Sequence, residues 1–494
     1  MIKSKMFQSV QKRISALPAV STLPALLLVA GVLSGCSLTP EYVRPDAPVA
    51  ASYATSPDNA PAATTAASRA ALDIGWRDFF KDARLQALIA SALENNRDLR
   101  TAVLRIEEAR AQYNIQSADS LPTLNANASG ARSRTPADLS VNNTATTGGQ
   151  YEVGVGLASF ELDFFGRVRS LNAAALAQYL ATEEARQSVK ISLVSEVAQA
   201  YLTERGYAEQ RALAQQSFDS RSRGYTLAQK RFEVGASSAL DLRGEESLLQ
   251  TAKVALVTLA RQRAQAENAL VLLVGQPLTD LPAAQPLSAQ NIITEIPAGL
   301  PSDLLASRPD IRQLEQKLQA ANANIGAARA AFFPRISLTA SAGTSSSALS
   351  GLFDAGSGAW SFAPQLVLPI FDGGRNRGNL DMAEVRKNLA IVDYEKAIQV
   401  AFREVSDALV ARGLLDLQIE AQAAVKDAEA ERLKLSEARF SNGIASSLDV
   451  LDAQRESFSA EQSLVQVELL RLTNAIDLYR ALGGGALETS TAVQ

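Results

Sequence analysis

Four stretches of the chain alternate between apolar and polar positions, which predicts β-strands at about 123–133, 150–162, 335–345 and 359–369. The second of them places four apolar side chains on one face: Tyr151, Val153, Val155 and Leu157. Each stretch has about the ~9–11 residues that a tilted strand needs to cross a bilayer. A soluble two-faced sheet would show the same alternation, so the strands alone leave both interpretations open.

Two much longer segments, at about 167–233 and 375–441, contain no proline and predict very long helices. At the rise of an α-helix each would extend for about 100 Å. A predicted return helix follows each one, at about 238–274 and 447–482. A globular core does not need such helices, whereas a coiled coil, a rod or a tunnel wall does. Coiled-coil rods do not carry pairs of bilayer-length strands between their helices, so the combination favours a tunnel joined to a membrane sheet.

A short turn joins each long helix to its return helix, and it occurs twice. The sequence RFEVGASSALD begins at Arg231, and RFSNGIASSLD begins at Arg439, an offset of 208 residues. We expect Gly235 and Gly443 to end the long helices with positive φ. The neighbouring serines, Ser237-Ser238 and Ser446-Ser447, then provide N-caps for the return helices.

The order of predicted elements is the same in both halves, which indicates a duplication. The first repeat covers 82–275 and the second covers 302–485. A proline-containing linker at 276–301, predicted to be equatorial, joins them, and 486–494 form a C-terminal tail.

The N-terminus has the pattern of a secretory leader. A basic segment precedes the apolar run ALLLVAGVL and the sequence Leu33-Ser34-Gly35-Cys36. This resembles a bacterial lipobox, so we expect a signal peptide at 1–35, lipid on the thiol of Cys36 and a lipid-anchored arm at 36–81. An uncleaved transmembrane helix is the alternative. By the same resemblance, Ser37 after the cysteine favours the outer membrane.

Composition excludes several functions. The chain has 494 residues, of which 47% are hydrophobic and 20% charged, so it can form a folded core. A net charge of −4 argues against a nucleic-acid partner. The chain has no His and one Cys, which removes most routes to metal binding or nucleophilic catalysis. We therefore expect neither a cofactor nor an enzyme.

Four membrane strands cannot close a barrel within one chain. The smallest single-chain barrels use about eight, with interiors filled by side chains. A dimer would reach that number without a channel, and a trimer would give twelve strands and an open pore. Closure and edge protection therefore predict a homotrimer.

Several motifs, in this order, resemble the TolC-type outer-membrane efflux factors, in the OprM-like lipoprotein branch. They are WRDFF at 76–80, ELDFFGR at 161–167, LPIFDGGR at 368–375, DVLDAQ at 449–454 and YRALGGG at 479–485. The resemblance implies an α+β membrane protein with four transmembrane strands and two long helical hairpins per chain. The trimer would form a twelve-stranded β-barrel on a twelve-helix α-barrel, with a mixed equatorial region between them.

The resemblance also implies a function and partners. The trimer would be a passive conduit in the outer membrane that exports drugs, solvents or other small toxic compounds. It would dock onto a periplasmic adaptor protein and an inner-membrane transporter of the resistance-nodulation-division class. A type I protein-secretion conduit and a non-channel structural lipoprotein are the alternatives.

The resemblance assigns the pore constriction to Asp449 and Asp452, just after the second turn. Crowding of six carboxylates in a trimer would raise the pKa of some or lead them to hold cations. A solvated acidic helix start is the other interpretation. Phe440 and Ala445 stand where a relative carries an aromatic hydroxyl and an arginine that hold its closed state. The expected adaptor contacts are the two tips: Val234, Gly235 and Ala236, and Asn442, Gly443 and Ile444.

Overall fold

The structure is a computed structural model that describes residues 37–53, 71–141, 143–293, 296–297, 301–304 and 308–490. The predicted signal peptide and Cys36 lie outside these residues. The chain divides into two units. The first comprises Met1–Tyr42, Gln112–Leu176 and Gln319–Lys387, and the second comprises Val43–Ala111, Ala177–Leu318 and Asn388–Gln494.

The first unit contains an antiparallel sheet with the strand order β1-β2-β3-β4. The strands are β1 (Leu124–Thr135), β2 (Thr146–Leu162), β3 (Arg335–Ser346) and β4 (Gly358–Val367). Along β1 and β4 nearly every residue is exposed, and Val153, Val155 and Leu162 of β2 are exposed as well. The sheet therefore has no covering layer from the described part of its own chain, and β1 and β4 are its edges.

The strands correspond to the four alternating stretches, and three of their bounds differ by two residues or more. β1 ends at Thr135 rather than near 133, because it pairs with β2 as far as Thr146. β2 begins at Thr146 rather than near 150, because Gly148 and Gly149 pair with β1 despite lacking apolar side chains. β4 ends at Val367 rather than near 369, because Val367 pairs with Arg335, the first residue of β3, and β3 has no further residue to pair with Leu368. β2 also has a bulge between Leu157 and Phe160 where its pairing with β3 shifts.

Seven helices of ten or more residues are described. They are α1 (Ala83–Asn95), α2 (Arg97–Ala118), α3 (Arg167–Glu233), α4 (Ala239–Val274), α5 (Pro309–Ala330), α6 (Arg375–Ser441) and α7 (Ser447–Ala481). The predicted long helices match α3 and α6, and the predicted return helices match α4 and α7 to within one residue. None of the described helices combines the length and the hydropathy needed to span a bilayer. The predicted fold class is thus confirmed at the level of one chain: four strands and two long helical hairpins.

The hairpin turns are built as the repeated motif predicts. Gly235 and Gly443 both have a φ of +74°, which side chains other than glycine rarely adopt. In the first turn the N–H of Ala236 donates to the carbonyl of Arg231, and the N–H of Gly235 donates to that of Phe232. These two bonds form a Schellman motif, which satisfies the last carbonyls of α3.

The core of the second unit lies where both repeats meet the segment before α1. Trp76, Phe79 and Phe80 are buried there, and the ring of Phe79 stacks on Tyr479 of α7 at 3.9 Å between centroids. Asp82 caps α1 and accepts hydrogen bonds from the Tyr201 hydroxyl and the Gln290 amide at 2.7 and 2.8 Å. A buried carboxylate with this many donors stabilises one arrangement of the segments around it.

Candidate functional site

The two predicted tips lie in exposed turns of the second unit, between α3 and α4 and between α6 and α7. Val234 keeps 77% of its surface exposed and Ile444 keeps 69%. Leu240 and Leu448, at matching positions on the return helices, are also exposed. Exposed apolar side chains that lie together on a surface are typical of interaction sites, so the two turns are suited to contact with another molecule.

Asp449 belongs to a capping box at the start of α7. Ser446 is the N-cap of α7, and its hydroxyl accepts a hydrogen bond from the backbone N–H of Asp449 at 3.3 Å. The Asp449 carboxylate in turn accepts from the backbone N–H and the hydroxyl of Ser446, at 3.0 and 2.9 Å. This is a capping box, and Ser238 and Asp241 form the same one in the first hairpin.

The capping box changes the electrostatic expectation for Asp449. The hydrogen bond from the Ser446 side chain, and then the one from its backbone, hold the pKa of the Asp449 carboxyl below its ordinary value. This direction holds for the single chain, whereas the raised pKa values predicted from the sequence concern six carboxylates crowded in a trimer and stay a prediction.

Asp452, one turn further along α7, has a different environment. Its Oδ2 accepts from Nη2 of Arg432 on α6 at 2.6 Å, and its Oδ1 accepts from Nη2 of Arg455 at 2.6 Å. The carboxylate thus lies between two guanidinium groups. Asp449 and Asp452 are close in sequence, yet one belongs to a capping box and the other bridges the two helices of its hairpin.

Arg432 and Arg455 were not among the site residues predicted from the sequence. A usable signal was present, because Arg432 precedes Asn442 by as many residues as Asp452 follows it. Residues equidistant from the turn of an antiparallel helical hairpin lie side by side. Arg455 follows Asp452 by three residues, a spacing that also favours contact.

The described residues contain no group of three or more His, Cys, Asp or Glu side chains that could hold a metal ion. At the turn end of the hairpins the structure shows exposed apolar side chains and the ion pairs of Asp452. Such surfaces can select ions electrostatically and can bind another protein.

Comparison with known proteins identifies the family. The family model described as "Outer membrane efflux protein" matches residues 88–276 and 300–484. The outer membrane protein OprJ of Pseudomonas aeruginosa is 48% identical over 465 residues, which cover 93% of this chain and 95% of that protein. The toluene efflux pump outer membrane protein TtgC of Pseudomonas putida is 45% identical, over 94% of this chain and 96% of that one.

A solved structure shows the same fold. The open state of the MtrE outer membrane channel of Neisseria gonorrhoeae superposes with a TM-score of 0.83 at 43% identity, covering 92% of this chain and 100% of that chain. The residues that the family model matches include both hairpins and all four strands. The chain therefore belongs to the outer membrane efflux protein family and is an outer-membrane efflux channel, not an enzyme.

Proposed function

We propose that three copies of the chain assemble into the conducting channel. Together they contribute twelve strands to one closed barrel, and their hairpins form a coaxial tunnel of twelve helices. The observation that carries this proposal is the four-stranded sheet, which has two free edges and apolar side chains facing outwards in the single chain. Pairing β1 of one copy with β4 of the next removes every edge.

The proposed trimer places the second hairpin at the narrow end of the tunnel. Asp449 and Asp452 then line the periplasmic constriction, three copies of each. Carboxylates at a narrow aperture favour cations over anions and attract divalent ions. The helices converge at this end of the tunnel and can also move apart there, so the constriction acts as a gate.

The exposed tips at 234–236 and 442–444 are the proposed contacts with a periplasmic adaptor protein, and through it with an inner-membrane transporter of the resistance-nodulation-division class. Their exposed apolar side chains support an apolar docking surface. The cargo class follows from relatives named as efflux pump components for antibiotics and toluene. We propose that this chain exports small toxic compounds of those kinds, with lipid on Cys36 anchoring its N-terminus in the outer membrane.

The gate assignment is tested by single-channel recording from purified full-length protein in planar bilayers. Replacing both Asp449 and Asp452 by alanine is expected to raise the resting conductance and to weaken block by divalent cations, because the aperture loses its carboxylates. Because Asp449→Ala also removes the carboxylate of a capping box, Asp241→Ala is the matched control. It removes the equivalent capping box from the first hairpin, which has Gly244 where the second has Asp452. A double variant that conducts like the native channel would refute the gate assignment.

Docking is tested by Gly443→Asp. A charged side chain at the apolar tip is expected to lower drug tolerance in cells while trimers still form, since no other atom lies within 4 Å of the added Cβ. Gly356→Asp controls for backbone strain, because Gly356 also has a positive φ and open space around it but lies in the β3–β4 loop. Native drug tolerance in the Gly443→Asp strain would contradict the docking role.

A further inference from the structure

The two hairpins differ at the positions of one ion pair. Arg432 and Asp452 bridge α6 and α7 in the second hairpin. At the 208-residue offset of the duplication, both are replaced by glycine in the first hairpin, at Gly224 and Gly244. The basic and the acidic partner are thus present together in one hairpin and absent together in the other. Because both partners occur in one hairpin only, we expect the role of each to depend on the other.

The pair holds the start of α7 to the end of α6. Arg432 donates to Asp452 at 2.6 Å and also to Glu429, one turn back on α6, at 3.0 Å. The contact with Glu429 fixes the direction in which the guanidinium extends. On the other side, Arg455 donates to the second carboxylate oxygen of Asp452. The carboxylate is therefore drawn towards its own hairpin.

The first hairpin makes a weaker contact with the same place on α7. The guanidinium of Arg221 on α3 donates to the carbonyl of Leu451, the residue before Asp452, at 3.4 Å. Arg221 is buried, and its Nη1 has no hydrogen-bond partner among the described residues. A long bond from a guanidinium that is only partly satisfied is a poor restraint, so the side-chain bridge at the next residue is the stronger one.

Other side-chain links between α6 and α7 beside the turn are weak, since Gln454 on α7 donates to Glu437 on α6 at a long 3.4 Å. Phe440 has no hydroxyl, and Ala445 has no charged or polar side chain. The side chain of Asp449 is already used in its capping box. Among these residues around the second turn, Asp452 is the one whose carboxylate connects the two helices of the hairpin through an ion pair.

We propose that Arg432 is a positioning residue of the gate, which ties Asp452 to its own hairpin at rest and compensates its charge in the constriction. The proposal rests on the proposed function, because it takes Asp452 to line the pore. Opening then requires that α7 moves away from α6 at Asp452, so the three Arg432–Asp452 ties are broken. The released carboxylates make the open aperture more selective for cations than the resting one.

The test uses full-length protein in planar bilayers, with potassium chloride at different concentrations on the two sides. Arg432→Gln is expected to raise the resting open probability by roughly threefold, within the range that an exposed ion pair supports. It should also shift the reversal potential towards that of potassium, since uncompensated carboxylates exclude chloride. A lysine at 432 keeps the charge, so Arg432→Lys should restore the native reversal potential.

Arg471→Gln is the matched control. Arg471 on α7 binds Asp416 on α6 at 2.6 Å, so the variant breaks an ion pair of the same kind in the same hairpin, further from the turn. Its open probability and reversal potential should stay native. The inference is overturned if Arg432→Gln leaves both quantities unchanged, or if Arg471→Gln changes them equally. Failure of the native protein to conduct would instead refute the proposed channel assembly, so the two failures are distinguishable.

Discussion

Valine in place of Gly343 is expected to prevent assembly of the channel. Gly343 on β3 lies opposite Gly154 on β2, and a Cβ at 343 would lie 2.2 Å from the carbonyl oxygen of Val153 and 2.5 Å from the Cα of Gly154. Both atoms belong to the backbone, so no side chain can rotate away. Relief requires that β2 and β3 separate at the middle of the sheet. Overpacking of this kind costs about 1–3 kcal/mol or more in each chain, and a closed barrel repeats it in every copy.

The expected result for Gly343→Val is loss of the trimer band in unheated detergent gels, together with loss of conductance. Gly148→Val is the matched control on the same sheet. Gly148 lies in β2 and is paired with β1, yet no atom lies within 4 Å of an added Cβ. Trimers should therefore form with valine at 148. Normal assembly of the Gly343→Val protein would mean that the pairing of β2 with β3 is not required for the barrel.

The strands and helices were predictable because their ends carry strong local signals. α3 begins directly after Gly166 and α6 directly after Gly374, and both glycines have positive φ. A residue with this backbone conformation interrupts a helix whatever packs around it. The early start of β2 was not predictable in the same way. Its first residues are threonine and glycine, and only their pairing with β1 makes them a strand.

In the candidate site, too, features set by local sequence were predictable and features set by tertiary packing were not. The capping boxes follow from local sequence, since Ser238 and Ser446 each precede an aspartate by three residues. The partners of Asp452 depend on the register between α6 and α7, which the spacing around the turn suggests but does not fix. The hydrogen bonds of Asp82 lay beyond prediction, because Tyr201 and Gln290 are distant in sequence and only the folded core brings them together.

Replacing Arg308 by methionine is expected to destabilise the second unit strongly. Arg308 is buried and donates to Asp310 at 2.6 Å, to Glu404 at 2.7 Å and to the carbonyl of Ala481 at 3.1 Å. Methionine fills much of the same volume but leaves two carboxylates without their cation. Removing one partner of a buried ion pair costs about 3–5 kcal/mol of stability. For Arg308→Met we expect the free energy of unfolding to fall by about 3 kcal/mol, because Asp310 keeps contact with water. The apparent Tm should fall by roughly 5 °C or more.

The size of this effect should depend on pH, which separates the loss of charge from a loss of packing. Burial opposes ionisation of Asp310, but the hydrogen bonds and charge of Arg308 outweigh it and hold the pKa below its ordinary value of 3.8. A carboxyl with a lowered folded pKa stabilises the native state above its unfolded pKa, and this contribution is lost as the pH falls through the folded pKa. The difference in Tm between the native protein and Arg308→Met should thus be largest near neutral pH and shrink below about pH 4, as measured by circular dichroism at 222 nm.

Arg312→Met, one turn along α5, is the control, because it removes a half-exposed ion pair with Glu184 and should lower the free energy of unfolding by less than about 1 kcal/mol. A loss of stability at 308 that stayed constant with pH would mean that packing, and not the compensation of two carboxylates, is what Arg308 contributes.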